Sequence, residues 1–240
     1  MLDQPPPDAP PPPPSPAAIL SRRKWRALWI TGTFSMLALI GMWLFTEIRE
    51  QRMLADQSEA VGNLGRIRFA LDQFDYDYGR FPDDGTAPKV LKNTGSKLTL
   101  GNRSSNDYFR QLIAAEILEG EGGFYAKIPG CRHPDRVLSA THALEKGEVG
   151  FSYIVGLSSA SHPNRPLVVT PLIPGTDRFD PKPFDGYALI LTVAGTGSTR
   201  GTLYPINSRG EVIDASGKHI LDPANPIWGG VKPVIKWPEL

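Results

Sequence analysis

Residue types that carry catalytic or metal chemistry are scattered along this chain of 240 residues. No two of the four histidines form the His-x-x-x-His pair that binds zinc on a helix; they are His133, His142, His162 and His219. Cys131 and His133 together supply only half of the four ligands of a structural zinc site. No Gly-x-Ser-x-Gly turn presents a serine nucleophile. We therefore expect no catalytic residues, no metal ligands and no cofactor, and we predict that the protein is not an enzyme.

The glycine-rich stretch from Ala194 to Ser198 has the composition of a phosphate-binding loop. It lacks the Lys-Ser/Thr ending of such a loop, and it leads into another strand pattern where a phosphate site needs a helix. We predict an ordinary loop at this position.

Composition narrows the classes of partner. The net charge is +1, so no field of the whole protein attracts nucleic acid or acidic substrates, and we expect no nucleic-acid partner. Cys131 is the single cysteine, which excludes an internal disulfide framework. Its thiol could pair with that of a second chain in an oxidising compartment, but we favour a thiol without function.

The elements that position the rest of the chain begin with an apolar run over residues 27–45, which contains no charged side chain. A helix of this length spans about 28 Å, close to the thickness of the hydrocarbon core of a membrane. Trp25, Trp29 and Trp43 lie near its two ends, where amphipathic rings favour the membrane interface. A cleaved secretory signal is the alternative, but the run lacks a small-x-small cleavage site. We predict a retained transmembrane helix within residues 22–46.

The flanks of this run predict its orientation. A basic cluster precedes it, formed by Arg22, Arg23, Lys24 and Arg26, whereas acidic and basic residues are mixed after it. The positive-inside rule then places the N-terminus in the cytoplasm and the long C-terminal part outside. We predict a single-pass membrane protein whose C-terminal domain lies outside the cytoplasm.

Residues 1–21 form a proline-rich cytoplasmic tail in this interpretation. Residues 4–16 include nine prolines, which favour an extended polyproline conformation. The tail could be a docking peptide for a cytoplasmic partner. We favour the alternative of a solvated spacer.

The helical pattern continues beyond the apolar run, through residues 47–80. Apolar side chains recur there at intervals of three and four and define a packing face made of Leu64, Ile67, Leu71, Phe74 and Tyr78. This face could be a coiled-coil seam between chains, but two to three heptads are few for one. We prefer packing against a sheet of the same chain. Gly79 and Pro82 predict the end of the helix.

Residues 70–82 (ALDQFDYDYGRFP) resemble the segment that closes the first helix of type II secretion pseudopilins. In that family an Ala-Leu pair, an aromatic residue, an acidic residue and Gly-x-aromatic-Pro end the long helix. The order of membrane helix, extramembrane helix and C-terminal domain is also that of type IV pilins. The resemblance implies a pilin-like fold and a structural role in such an assembly, with the membrane and other pilin-like or secretion-assembly subunits as partners. It also implies a location in the bacterial inner membrane, with a periplasmic or extracellular domain.

The N-terminal motif departs from that family. Pilin-like precursors carry a glutamate at the fifth mature position, and Leu37 stands at the nearest matching place. This difference leaves open an alternative function, that of a membrane-anchored binding or scaffold module outside any filament. Small residues still allow close helix packing in the membrane at Gly32, Ser35, Ala38 and Gly41. We expect weak lateral self-association.

Some pseudopilins bind calcium in a C-terminal loop. Asp214 and Asp222 flank a polar turn here and could supply oxygen ligands. The sequence around them matches no calcium loop, so we favour a solvated turn.

Residues 81–240 predict a single extracytoplasmic α+β domain. Residues 83–106 are predicted as a loop and residues 107–118 as a short helix, while residues 222–240 are expected to be irregular. Short β-branched and aromatic segments, punctuated by turn residues, predict strands at residues 150–157, 166–172, 185–193, 202–206 and 211–213. No helical pattern separates these strands, which favours an antiparallel sheet packed against the long helix.

Overall fold

The computed structural model describes residues 16–194 and 202–240. Within the first helix, the side chains at positions 16–24, 26–28, 30–32 and 34 lie outside the described part, as does nearly all of the proline-rich tail. Most of the glycine-rich stretch at 194–198 also lies outside it. The elements are α1 (Pro16–Tyr78), α2 (Ala87–Thr94), α3 (Ser105–Ala114), β1 (Ser152–Val155), β2 (Pro166–Thr170), β3 (Tyr187–Thr192), β4 (Thr202–Pro205) and β5 (Val234–Lys236), with 3₁₀ turns at Gly122–Phe124 and Pro226–Trp228.

The contacts of the chain divide it into two compact units, one up to Gln51 and one from Arg52 to Leu240. Helix α1 ends at Tyr78, where the glycine signal predicts its end. Gly79 adopts φ +78°, a left-handed conformation that favours glycine, and its N–H donates to the Asp75 carbonyl at 2.8 Å.

The five strands form one antiparallel sheet in the order β4-β3-β2-β1-β5. All of β2 is buried, and in β3 only Tyr187 is exposed. Successive side chains of a strand point to opposite faces, so continuous burial means that the central strands are covered on both faces. The α+β class, with a long helix and an antiparallel sheet, is confirmed.

The predicted loop at residues 83–106 is wrong, because it contains α2. This helix has only eight residues and buries only Val90, so apolar residues do not recur often enough in the sequence to predict a helix. Gly95 ends it with φ +68°. The next helix, α3, is shorter than predicted and ends at Ala114, since Glu116 takes φ +60°, which a helix does not accommodate.

The sheet also differs from prediction at its last strand. Residues 211–213 form no strand, and Ile213 makes only an isolated bridge with His219. The fifth strand instead comes from the proline-rich end of the chain, where β5 pairs with β1. The residue after β5 fixes this segment further, because Trp237 donates its indole N–H to the Thr176 carbonyl at 3.0 Å.

One hydrophobic core joins the elements of the second unit. Buried side chains from α1, α2, α3 and all three central strands belong to a single cluster. Polar contacts fix α1 at its side: Asn63 donates to the Tyr125 carbonyl at 2.8 Å, and Arg68 donates to the Val193 carbonyl at 2.6 Å. The C-terminal part of α1 is therefore an integral part of the folded domain.

Candidate functional site: the two sides of the long helix

The predicted packing face of α1 lies in the core of the domain. Leu64, Ile67, Leu71 and Phe74 are fully buried. Tyr78, at the end of the helix, is half-buried and stacks on Phe74 with ring centroids 4.5 Å apart. These residues come together because their spacing places them on one side of the helix.

The opposite side of α1 borders an open groove of about 780 Å³, here called the lateral groove. Its helix wall is formed by small and apolar residues together with three charged ones, and Ile117 and Leu118 close it from the segment after α3. Phe69 lines the groove with 69% of its surface exposed.

Gly62 forms part of the helix wall of the lateral groove. A Cβ added at this position meets no atom within 4 Å, so packing inside the chain does not require a glycine here. Glycine in a helix interior costs about 1 kcal/mol relative to alanine. A glycine here therefore makes the helix less stable, but it allows the surface of another molecule to approach the helix backbone closely.

The rim of the lateral groove is held by charged contacts. The Nε atom of Arg68 donates to the Asp72 carboxylate at 2.7 Å. Its Nη1 atom donates to the carbonyls of Thr192 and Val193. Because these contacts join the helix to the end of β3, the groove has a fixed wall.

The first unit carries the residues predicted to associate in a membrane. Ser35, Ala38 and Gly41 are exposed on α1, whereas Gly32 lies outside the residues whose exposure is described. The side chains of the basic cluster, Arg22, Arg23, Lys24 and Arg26, also lie outside the described part. Bulky apolar side chains on this stretch are exposed as well: Met36, Leu37, Leu39, Ile40, Met42, Trp43, Leu44 and Phe45.

Within the part of the chain that the structure describes, no helix has both the length and the apolar character needed to cross a membrane. The predicted span at residues 27–45 includes positions 27, 28, 30–32 and 34, whose side chains lie outside that part.

Three of the four histidines contact different neighbours in the domain. His133 stacks on Tyr125 with ring centroids 3.7 Å apart, and the exposed His142 contacts the Glu145 carboxylate at 2.5 Å. His219 is buried and contacts the Asp177 carbonyl at 2.8 Å. Each ring is thus engaged with a different part of the domain.

Burial raises the pKa of the Cys131 thiol, which favours its protonated, unreactive form at neutral pH.

The two aspartates of the C-terminal turn accept hydrogen bonds from residues of the same turn. Asp214 accepts hydrogen bonds from the Ser216 hydroxyl at 2.5 Å and from the Asn225 amide at 2.8 Å, and Asp222 accepts from the Ala224 N–H at 2.8 Å. Burial acts to raise the pKa of Asp214, but these hydrogen bonds outweigh it and hold the pKa below its usual value. The turn is therefore internally satisfied.

The structure assembles one carboxyl cluster that the sequence analysis missed. Glu121, Asp135 and Glu148 bring one carboxylate oxygen each to within 4.8 Å of one another. The three residues are far apart in sequence and share no motif. The only signal is the placement of Glu121 among three glycines, a position that suits a constrained turn better than a solvated charge.

No protein-family model, curated protein or solved structure matches this chain significantly.

Proposed function

We propose that this protein is a membrane-anchored, pilin-like structural subunit or accessory component of a type II secretion or type IV pilus-like assembly. The observation that carries the proposal is the division of α1. Its C-terminal part buries one side in a folded domain, and its earlier part exposes a continuous run of bulky apolar side chains. An exposed apolar surface of that kind is typical of contact with lipid or with another protein.

The helix ending supports the same proposal. In the segment that resembles pseudopilins, Phe81 is buried and the Pro82 carbonyl accepts a hydrogen bond from the Tyr153 hydroxyl at 2.9 Å. The Gly-x-aromatic-Pro residues thus join the end of the helix to β1. This contact gives the motif a physical role, since it ties the C-terminal end of the helix to the sheet.

The lateral groove offers a surface for a neighbouring subunit. It combines an exposed aromatic residue, Phe69, with a helix wall that is open at Gly62. In an assembly of parallel helices, we expect the groove to receive an apolar side chain from the next subunit. The partners proposed here are therefore other pilin-like or secretion-assembly subunits, within a bacterial inner membrane and with the domain outside the cytoplasm.

A second candidate is a membrane-anchored scaffold module that works outside a filament. The exposed Leu37 favours it, because this residue stands where filament subunits carry the glutamate that pairs with a neighbour's charged N-terminus. An apolar residue there removes that pairing, which can otherwise set the register of subunits. Close packing through Ser35, Ala38 and Gly41 still permits association.

Cysteine cross-linking in membranes tests the proposal. A Cys131→Ser background removes the native thiol, and Ser35→Cys and Ala38→Cys, introduced singly and as a pair, then report helix contacts. Ile40→Cys is the matched control, because at 100° per residue it lies about 140° and 200° around the helix from these two positions.

We expect disulfide-linked dimers at positions 35 and 38 and none at position 40. Long cross-linked ladders from the paired variant, whose two thiols can link one chain to two neighbours, would favour a filament subunit, and dimers as its largest product would favour a scaffold or minor component. Equal cross-linking at all three positions, or none at positions 35 and 38, would contradict the packing surface.

A further inference from the structure

Three carboxyl groups from separate segments converge beside the 3₁₀ turn at Gly122–Phe124. Glu121 precedes that turn, Asp135 lies in the middle of the following loop, and Glu148 lies four residues before β1. Glu121 is 1% exposed, Glu148 is 0% exposed, and Asp135 is exposed at the mouth of the cluster. Burial of two carboxyl groups side by side is costly unless another group compensates their charge.

The hydrogen bonds of the cluster leave one oxygen without a partner. Glu121 Oε1 accepts from the Leu144 N–H at 2.6 Å, and Glu148 Oε2 accepts from the Glu145 N–H at 2.7 Å. Glu148 Oε1 accepts from the Asp135 N–H at 3.2 Å. Glu121 Oε2 is buried and makes no hydrogen bond of normal geometry in the described part of the chain, although the Arg136 N–H is close enough to lower the pKa of this carboxyl. A buried carboxylate oxygen left in this way loses its hydration without replacement.

Positive charge within the protein compensates the cluster only in part. Arg132 contacts Glu148 at 3.1 Å, but its side chain is half exposed and the same nitrogen also contacts Glu145 at 3.3 Å. Among the described residues, Glu148 thus shares the Arg132 guanidinium with Glu145, and neither Glu121 nor Asp135 forms an ion pair. Burial raises the pKa of Glu121, the Leu144 and Arg136 N–H groups oppose this effect, and the charges of Glu148 and Asp135 add to it.

We propose that Glu121, Asp135 and Glu148 form a binding site for a divalent cation of the calcium type. Carboxylate oxygens are hard donors, which suit Ca²⁺ and Mg²⁺ rather than the softer transition metals. Ca²⁺ binds oxygen at about 2.3–2.6 Å, so ligands on opposite sides of the ion lie about 4.6–5.2 Å apart. The spread of up to 4.8 Å between the three oxygens fits this geometry. The exposed Asp135 leaves an entry path for the ion and room for water ligands.

The site also has a structural consequence. No helix or strand is described between Phe124 and β1, and scattered backbone hydrogen bonds, such as that from the Arg132 N–H to the Gly147 carbonyl at 2.6 Å, hold this long segment. A cation held by its beginning, middle and end ties the segment to the domain. We expect the ion to stabilise the fold, with no part in catalysis.

The competing explanation is a proton shared between Glu121 and Glu148. A proton bound at low pH would neutralise the charge on Glu121 Oε2. The melting temperature of the protein would then not respond to calcium. The two explanations differ in their response to added cation at neutral pH.

The test uses the full chain, purified in detergent and stripped of metal with a chelator. Thermal unfolding at pH 7 is followed by near-ultraviolet circular dichroism while CaCl₂ or MgCl₂ is added. A ligand at hundredfold excess over its Kd raises the melting temperature of a domain of this size by about 5–10 °C. We expect this rise with calcium and a smaller one with magnesium at equal concentration.

Asp135→Asn and Glu121→Gln remove one ligand charge each. Asp222→Asn is the matched control, because it removes the same charge from the C-terminal turn. The exposed Asp135 can be changed without loss of folding, so the test does not depend on a buried variant. We expect both ligand variants to lose the calcium response and the control to keep it. Absence of a response in the native chain, or a full response in Asp135→Asn, would overturn the proposal.

Discussion

Replacement of Leu71 by alanine tests whether α1 is held to its domain by the buried packing face. Leu71 is fully buried, and so are Ile67 and Phe74 on the same side of the helix. The substitution removes three carbon atoms from this core. At about 0.8 kcal/mol per buried methylene, the lost burial amounts to about 2.4 kcal/mol.

The cavity left by the substitution adds to this cost. Because the neighbouring residues on the helix are themselves buried, the site cannot be refilled by solvent, and the total should reach about 3–5 kcal/mol. For a domain of this size, each kcal/mol lowers the melting temperature by about 2–4 °C. We therefore expect Leu71→Ala to lower the melting temperature by about 6–20 °C.

The assay is thermal unfolding of the full chain in detergent, followed by near-ultraviolet circular dichroism, which reports packed aromatic side chains of the domain. Phe69→Ala is the matched control, because Phe69 lies two residues away on the same helix but is mostly exposed. This control should change the free energy of unfolding by less than about 0.5 kcal/mol. An unchanged melting curve for Leu71→Ala, or equal losses for both variants, would refute the assignment of the two sides of α1.

Two further changes test other features of the domain. Gly62→Ala should raise the free energy of unfolding by about 1 kcal/mol in a urea titration, because alanine favours the helix and the added Cβ meets no neighbour; a loss of stability would reveal a close contact at this position. The Asn207 amide and Arg178 lower the pKa of Glu211 to about 2. Since the pKa is lower in the folded state, the stability from Glu211 is complete above its unfolded pKa of about 4.3 and is lost as the pH falls toward 2. Asn207→Ala should therefore flatten the fall of melting temperature between pH 4.5 and 2.5, and an unchanged slope would show that the amide does not set the pKa.

Local periodicity was sufficient to predict most of the fold. The stripe from Leu64 to Phe74 has the spacing of a helix face, and four of the five strands lie where β-branched residues cluster. Helix α2 escaped prediction because one apolar face of two turns is indistinguishable from a polar loop. Strand β5 escaped because its three residues gain strand character only by pairing with β1.

The carboxyl cluster illustrates a different limit of sequence reasoning. Glu121, Asp135 and Glu148 follow no spacing that a helix or a strand imposes, so only the path of the loop between them brings them together. The lateral groove is similar, because Phe69 belongs to the helix pattern but Ile117 reaches the groove only through the end of α3. Both features are properties of tertiary structure.

We propose that residues 27–45 anchor the protein in the inner membrane and that the domain lies outside the cytoplasm. The most direct test is a fusion of full-length protein, after Leu240, to a reporter enzyme that is active only outside the cytoplasm. A reporter active only inside the cytoplasm, fused at the same position, is the matched control. The proposal predicts activity of the first fusion and none of the second. An inactive first fusion, with the full-length product present and the second fusion active, would contradict it.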